Sequence, residues 1–465
     1  MAALAAMACA APATADDIYS GLQTPHTSWS LFAGATYTDD ATLAPGGPSD
    51  TIAMGGVGLD LYRDTGRLQA DIDGSVRYED YLHGTYPGHV LGSLVGKASY
   101  AMVPERLNWV ITDSYGQIGA NTLQPTTPGN RINVNSVSTG PDGDINFGGA
   151  TDLTLGARYS QSDFQQNSLA PQASTRSVTG RLGLVDHLTA ASSLSANLAY
   201  ARVQYVANGI PGYDQYDAFG RYDNRSGRGG SSLDIGASEI KQADRTNHNP
   251  LLRFTAFHRL TPSWNINLSL ASQYQNTGQG FASALQGERA VNGQVAPSNP
   301  GNPGQPTAGI ANLTLGQAPF RSDSANVAFD FVRPRTQINV GGGYSRNSYP
   351  FTTGTLNLKT SQAAASLTRR LRDSLSFLIN ATYVSQSPTA ALAGNHTTSE
   401  SAGLQWRAGA LLALTLTVSH TDRASTSGAN GVSFIQNMVF LGLTYGPPKP
   451  VIRFDALGQG AAPPH

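Results

Sequence analysis

The sequence predicts an all-β fold, a transmembrane antiparallel β-barrel of about 18 strands within a range of 16–20. Three observations lead to this prediction. Only 13% of the 465 residues are charged, against roughly 25% in a typical soluble domain. Many segments alternate apolar and polar side chains, and the connections between them alternate tight turns with long polar loops. These features are typical of a sheet with one face in lipid and the other on a wet lumen.

Alternation with a period of two is the main evidence for strands, because successive side chains of a strand point to opposite faces. It is clear in Arg67–Leu82, Trp264–Tyr274 and Ser374–Val384. These segments reach the ~9–11 residues that a tilted strand needs to cross a bilayer. In the second of them the apolar face comprises Trp264, Ile266, Leu268, Leu270 and Tyr274.

An even number of strands is expected of such a barrel, with short turns in the periplasm and long loops outside. Ser231–Lys241 alternates only weakly between apolar and polar residues. If this segment were one more spanning strand, the short turn Leu260–Trp264 would lie outside the cell. We therefore assign Ser231–Lys241 to a hairpin within a long loop, Val206–Asn249. A second long loop is expected at Asn276–Arg321. The eighteen predicted strands are 27–39, 51–63, 67–82, 88–103, 107–119, 132–147, 153–164, 175–187, 193–205, 250–260, 264–275, 322–333, 335–346, 353–370, 374–386, 398–408, 411–422 and 431–445.

The two ends of the chain do not fit the strand pattern. Residues 1–15 form a small-residue apolar run that ends in Ala13-Thr14-Ala15, which predicts a signal peptide. Residues 16–26 are then a periplasmic N-terminal segment, 27–445 the barrel, and 446–465 a proline-rich tail. Cys9, the only cysteine, lies in the predicted signal peptide, so we expect neither disulfides nor thiol chemistry in the exported chain.

Several functional classes find no support. The net charge of −1 argues against nucleic-acid binding, which normally uses a basic surface. No nucleophile elbow, metalloprotease motif or closely spaced histidine cluster is present, and we therefore predict no enzyme activity, no cofactor and no metal site. No stretch supplies the ~20 apolar residues of a membrane helix.

Two sets of polar residues are candidates for solute contact. One strand projects four charged side chains to a single face, where they either line a solute path or only solvate the barrel wall. The loop Val206–Asn249 combines aromatic rings with guanidinium groups, a pairing that suits sugars and sugar carboxylates, although it also fits an ordinary extracellular loop. The lumen candidates are Asp71, Asp73, Arg77 and Glu79, and the loop candidates are Tyr213, Tyr216, Arg221, Tyr222, Arg225 and Arg228.

At Leu59–Tyr81 and Pro104–Asp142 the sequence resembles a family of large outer-membrane barrels that occur with exopolysaccharide synthesis and PEP-CTERM sorting loci. The resemblance covers about the first third of the chain and implies a role in exporting or anchoring an extracellular polysaccharide. It implies no catalytic residues. A loop between Gln124 and Asn135 is expected to be able to fold into the lumen. Residues that match the family pattern are Arg106, Trp109, Tyr115, Gln117, Asn130, Asn133, Ser138, Thr139, Gly140 and Pro141.

The leading hypothesis is therefore a non-enzymatic conduit for exopolysaccharide in the outer membrane of a Gram-negative bacterium. A general or sugar-selective diffusion porin is the alternative, and an outer-membrane hydrolase or lipid-modifying enzyme is a third. The expected partners are outer-membrane lipid, a polysaccharide or small sugar, and the barrel-insertion machinery. The oligomeric state stays open.

Overall fold

A computed structural model describes residues 25–121, 123–165, 174–207, 209–283, 318–351, 357–388, 394–426 and 431–447. They form one sheet of twenty antiparallel strands. The expected signal peptide at 1–15 and nearly all of the expected segments 16–26 and 446–465 lie outside the described residues. The strands run from His26 to Tyr445, close to the expected barrel of 27–445.

The first ten strands are β1 His26–Thr38, β2 Asp50–Asp64, β3 Leu68–Tyr81, β4 His89–Val103, β5 Leu107–Gly119, β6 Arg131–Asn146, β7 Thr151–Phe164, β8 Thr175–Thr189, β9 Ser192–Tyr205 and β10 Tyr213–Ser226. The others are β11 Gly229–Gln242, β12 Arg245–Thr261, β13 Trp264–Gln275, β14 Phe320–Arg333, β15 Thr336–Ser348, β16 Leu358–Arg372, β17 Leu375–Pro388, β18 Asn395–Arg407, β19 Leu412–Ser425 and β20 Phe434–Tyr445. A helix, α1, covers 277–283, the last described residues of this segment, and a 3-10 turn spans Pro128–Asn130.

Each strand pairs with its neighbours along the chain, and the last strand closes the sheet on the first. The closing register runs from Leu31 opposite Tyr445 to Thr38 opposite Met438. Closure satisfies the backbone groups that an open sheet edge would expose to lipid. The chain is therefore a closed β-barrel, as the alternation and the turn pattern predict.

Side chains divide cleanly between the two faces of the wall. On β20, Val439, Leu441 and Leu443 point outward and are about half exposed, whereas Met438 and Phe440 point inward and are buried. All four tryptophans lie on the outward face near the turn end of their strands, together with tyrosines such as Tyr100 and Tyr445, and other outward tyrosines lie nearer the loop end. Apolar residues between two aromatic girdles are the lipid-facing belt of a transmembrane barrel. The tryptophans are Trp29, Trp109, Trp264 and Trp406, and the tyrosines include Tyr37, Tyr78, Tyr200, Tyr344 and Tyr383.

The two ends of the barrel differ in their connections. At one end, here called the turn end, connections such as 65–67, 190–191 and 334–335 are tight turns. The opposite end, the loop end, carries the longer segments 39–49, 120–130 and 276–319. In membrane barrels of this kind the short turns face the periplasm. The loop end is then extracellular.

The count of twenty strands corrects the predicted eighteen and lies at the upper end of the expected range. Both additional strands, β10 and β11, fall in Val206–Asn249, which we expected to be a loop. Because two strands were missed and not one, the side on which every later turn lies is unchanged. The prediction that Ser231–Lys241 is a hairpin within a loop is therefore wrong, since this segment spans the barrel wall as most of β11.

None of the helices in the described ranges is long and apolar enough to cross a membrane.

Candidate functional site

The candidate site is the lumen, whose wall is polar along most of its height. On β6 and β7 its inward side chains include the hydroxyls of Ser136, Ser138, Ser160 and Ser162, and nearer the turn end the ion-paired Asp142 and Arg158. Most inward residues near the loop end are buried, whereas those near the turn end range from buried, such as Asn265 on β13, to exposed, such as Gln69 on β3. The lumen is thus filled at its extracellular end and more open at its periplasmic end.

The β1–β2 loop, residues 39–49, fills part of the extracellular end. Its residues Ala41 and Leu43 are each only 6% exposed, although they belong to a connection between strands. Ala41 packs in a cluster with Phe440 and three inward side chains of β2 and β3. The amide of Gln436 on β20 donates to the carbonyl oxygen of Asp40 at 2.9 Å. Burial of these apolar groups keeps the loop folded into the barrel.

The β5–β6 loop, residues 120–130, also folds inward. Asn130 holds its shape, since its amide donates to the carbonyl oxygens of Asn121 at 2.9 Å and Pro125 at 3.0 Å. Arg423 on β19 donates to the carbonyl oxygen of Leu123 at 2.6 Å. Because β19 lies six strands from β5 around the closed wall, this contact ties the loop to a distant part of the barrel. The loop that we expected at Gln124–Asn135 therefore lies within the lumen, although β6 already begins at Arg131.

Helix α1 narrows another sector of the lumen. It follows β13 and opens the segment Asn276–Arg321, of which 284–317 lie outside the described residues. Phe281 is fully buried, and Asn276 donates to the hydroxyl of Tyr213 at 3.2 Å. A Cβ on Gly278 would overlap Ser162, so the helix lies directly on the hydroxyl-rich wall of β6–β8. Small side chains on both surfaces permit this close approach.

The four lumen candidates all lie on the inward face of β3. Asp73, Arg77 and Glu79 are buried, and Asp71 is half-buried opposite Lys97 of β4. Arg77 and Glu79 form an ion pair of 2.8 Å between Nη2 and Oε1. They lie toward the loop end, in the part of the lumen that is filled, whereas Asp71 lies toward the open end.

Glu79 is the centre of a larger charged group. His89 of β4 and Arg131 of β6 approach its Oε2 at 3.4 Å and 3.9 Å. Arg131 also donates through Nε to the carbonyl oxygen of Thr126 at 3.2 Å. The group therefore connects the strand that carries the predicted residues to the inward-folded 120–130 loop. Buried ion pairs of this kind need several partners to offset the loss of hydration.

A second charged group lies on β10–β12, where we expected a loop. Asp234 of β11 accepts two hydrogen bonds from Arg221, at 2.6 Å and 2.9 Å, and one of 2.8 Å from Arg253 of β12. Both guanidinium groups lie over the ring of Phe219, at 5.8 Å and 4.8 Å from its centroid. The group is buried in the wall of the lumen and holds three adjacent strands in register.

The six loop candidates are therefore not in a loop and do not form one surface. Tyr213 and Arg221 point into the lumen, and Tyr213 is only 3% exposed. Tyr216 and Tyr222 point outward, at 43% and 40% exposure, as part of the lipid-facing belt. The other two candidates are exposed near the turn end, Arg225 close to the end of β10 and Arg228 in the turn to β11. Because successive side chains of a strand point to opposite faces, residues that could have formed one surface in a loop lie on the two sides of the barrel wall.

Three of these residues, Arg423, Arg131 and Asp234, were not predicted from the sequence. Their roles depend on which strands lie side by side and in which register, and no local motif carries that information. An indirect signal existed for Asp234, because an acidic residue in an alternating segment needs a cationic partner if that segment spans a membrane.

Within the described residues, no group of three or more histidine, cysteine, aspartate or glutamate side chains is placed to hold a metal ion.

No model of a known protein family matches the sequence, and no curated protein matches it. Solved structures do resemble the fold. The FrpB iron transporter of Neisseria meningitidis is 9% identical, with 93% of this chain and 83% of that chain covered and a TM-score of 0.43. The siderophore receptor PirA of Pseudomonas aeruginosa is 14% identical, with 91% and 81% covered and a TM-score of 0.41. A mutant ferric enterobactin receptor of the same species, in complex with enterobactin, is 11% identical, with 91% and 82% covered and a TM-score of 0.46. At these values neither a ligand nor a mechanism is transferred to this chain.

Proposed function

We propose that the protein is an outer-membrane conduit for an exopolysaccharide, which enters from the periplasm and leaves through a gated extracellular mouth. The observation that carries this proposal is the asymmetry of the lumen. Among the described residues, the 39–49 loop, the 120–130 loop and α1 fill its extracellular part, and none of them reaches into its periplasmic part. These segments belong to connections between strands, and so they can move without breaking the barrel.

The chemistry of the wall supports a hydroxylated cargo. Rows of serine and threonine on β6–β8, including Ser138, Ser160, Thr175 and Ser177, offer both donors and acceptors to sugar hydroxyls. Such groups replace the hydration of a neutral chain without holding it tightly at one place. The resemblance of Leu59–Tyr81 and Pro104–Asp142 to barrels from exopolysaccharide loci supports the same cargo.

Deletion of the gene in its native host tests the proposal. We expect polysaccharide to disappear from the cell surface while it accumulates in the periplasm, and a plasmid copy to restore secretion. Normal secretion by the deletion strain would overturn the proposal.

A sugar-selective porin is the second candidate, because the 120–130 loop folds into the lumen and narrows it. A narrowed lumen also suits the passage of small solutes. Planar bilayers distinguish the two functions. Steady conductance that a small sugar blocks with saturation supports the porin. A channel that stays closed until its loops are released supports the gated conduit.

A further inference from the structure

Two cations lie directly opposite each other on the outward face of β15 and β16. Arg346 of β15 pairs in register with Lys359 of β16, and both side chains are exposed. Both residues lie near the loop end of their strands. Like charges at directly opposed positions of neighbouring strands destabilise the pairing. The position therefore has a cost that a bound anion would remove.

No carboxylate neutralises this cation pair within the described part of the chain. The nearest acidic residue by register is Asp323 of β14, opposite Arg346. Its Oδ1 is already bound by Arg321 at 2.7 Å and by the hydroxyl of Ser272 at 2.8 Å. Arg346 and Lys359 form no ion pair with it, so the site keeps a net charge of two.

The cations lie at the level of lipid headgroups. Tyr344, two residues closer to the turn end on the same face of β15, is 43% exposed and belongs to the outward tyrosines near the loop end. Closer to the turn end, the outward face of β15 and β16 carries small apolar residues, with Gly342 opposite Ala363 and Val340 opposite Ala365. An aromatic girdle marks the boundary between acyl chains and headgroups.

A second set of cations on the outward face, Arg202 and Lys241, has a different arrangement of charges around it. Across β9–β11, Asp214 lies between Arg202 and Lys241 in register. Lys241 is also bound to Glu239 at 2.6 Å. There each cation has an acidic neighbour in register, whereas Lys359 has none and the carboxylate opposite Arg346 is already bound by Arg321.

We propose that Arg346 and Lys359 form a binding site for the phosphate of a phosphorylated glycolipid in the extracellular leaflet. The guanidinium group supplies paired donors to two phosphate oxygens, and the ammonium group supplies a compact charge on the other side. The acyl chains lie on the shallow surface of Gly342, Ala363 and Ala365. This site concerns the outer wall and is independent of the cargo of the lumen.

Native mass spectrometry of the full-length protein, purified in detergent and mixed with defined lipids, tests the proposal. The probes are diphosphorylated lipid A, its dephosphorylated form and phosphatidylglycerol. We expect the wild type to prefer the diphosphorylated lipid. The double variant Arg346→Gln/Lys359→Gln should lose affinity for it roughly twenty-five-fold, since each cation near an anionic surface contributes about fivefold.

Two further variants keep the test decisive. The matched control Arg202→Gln/Lys241→Gln should change affinity little, and the charge-preserving variant Arg346→Lys/Lys359→Arg should retain most of it. Heat-dependent gel mobility confirms that each variant is folded. Equal loss in the control, no loss in the Arg346/Lys359 double variant, or equal binding of phosphatidylglycerol would each overturn the proposal.

Discussion

At the scale of single residues, the lumen wall keeps its charges in groups whose members come from neighbouring strands. Asp234 is 1% exposed and is the shared acceptor of Arg221 and Arg253. Removing its charge takes away the carboxylate to which both buried guanidinium groups donate. The cost of breaking a buried pair in this way exceeds the net gain that the intact pair provides.

Asp234→Asn should therefore lower the free energy of unfolding by about 3 kcal/mol. The substitution keeps the size of the side chain and removes only its charge. Urea unfolding of the reconstituted barrel, followed by tryptophan fluorescence, measures the change. Asp223→Asn is the matched control, because Asp223 is a half-buried, inward residue of the neighbouring strand, and its effect should stay below about 1 kcal/mol.

At the scale of elements, the seam that closes the barrel contains an aromatic ring that covers two glycines. Gly34 of β1 and Gly442 of β20 are paired in register, and the ring of Phe440 occupies the space where either glycine would carry a Cβ. The ring shields a stretch of backbone that has no side chains of its own. This arrangement stabilises the seam between the first and last strands.

Gly442→Val should weaken the seam by about 1–3 kcal/mol, because the added side chain displaces the Phe440 ring. The measurement is the temperature at which the folded, fast-migrating gel band is lost. Gly180→Val is a suitable comparison, since no atom lies within 4 Å of the Cβ position of Gly180. A similar loss of stability in both variants would show that the ring has no special role.

The hydrogen bond from Arg423 to the 120–130 loop leads to a prediction about the movement of that loop. A hydrogen bond from a charged group contributes about 1.5–3 kcal/mol, so Arg423→Ala should raise the population of released loops by about tenfold or more. Single-channel recording in planar bilayers should detect more frequent and larger openings. The control Arg225→Ala, at the turn end, should leave the recordings unchanged. Identical traces for wild type and Arg423→Ala would show that this hydrogen bond does not hold the 120–130 loop in place.

Element by element, the sequence predicts the barrel well where the two faces differ in polarity. Trp264–Gln275 is found as predicted because its outward residues are apolar and its inward ones are polar. β10 was missed because aromatic residues occupy both faces, with Phe219 inward and Tyr216 outward, and because Gly220 interrupts the outward apolar row. Of the candidate site, only the charged face of β3 was predicted from the sequence. The face of β3 follows from local alternation, but the partners of Glu79 and Asp234 follow from register between strands.

At the scale of the whole molecule, the orientation of the barrel follows from the ends at which its turns lie. Asp244, in the two-residue turn between β11 and β12, lies at the loop end, and Arg335, in a similar turn between β14 and β15, lies at the turn end. Both side chains are exposed. Cys9 is the only cysteine of the chain, so single cysteines can be introduced as specific labels.

In intact cells, a membrane-impermeant maleimide should label Asp244→Cys and should not label Arg335→Cys. Permeabilising the outer membrane should make Arg335→Cys react as well. This pattern tests the extracellular assignment of the loop end. Labelling of Arg335→Cys alone in intact cells would mean that the barrel has the opposite orientation.

The cluster beneath the β1–β2 loop also sets an order of assembly. Ala41, Ile52 and Tyr81 come from the first part of the chain, whereas Phe440 comes from the last strand. The cluster is complete only when β20 has docked beside β1. This part of the extracellular mouth is therefore sealed only when the circumference is finished, and we expect a nascent barrel that stalls before its final strand to leak.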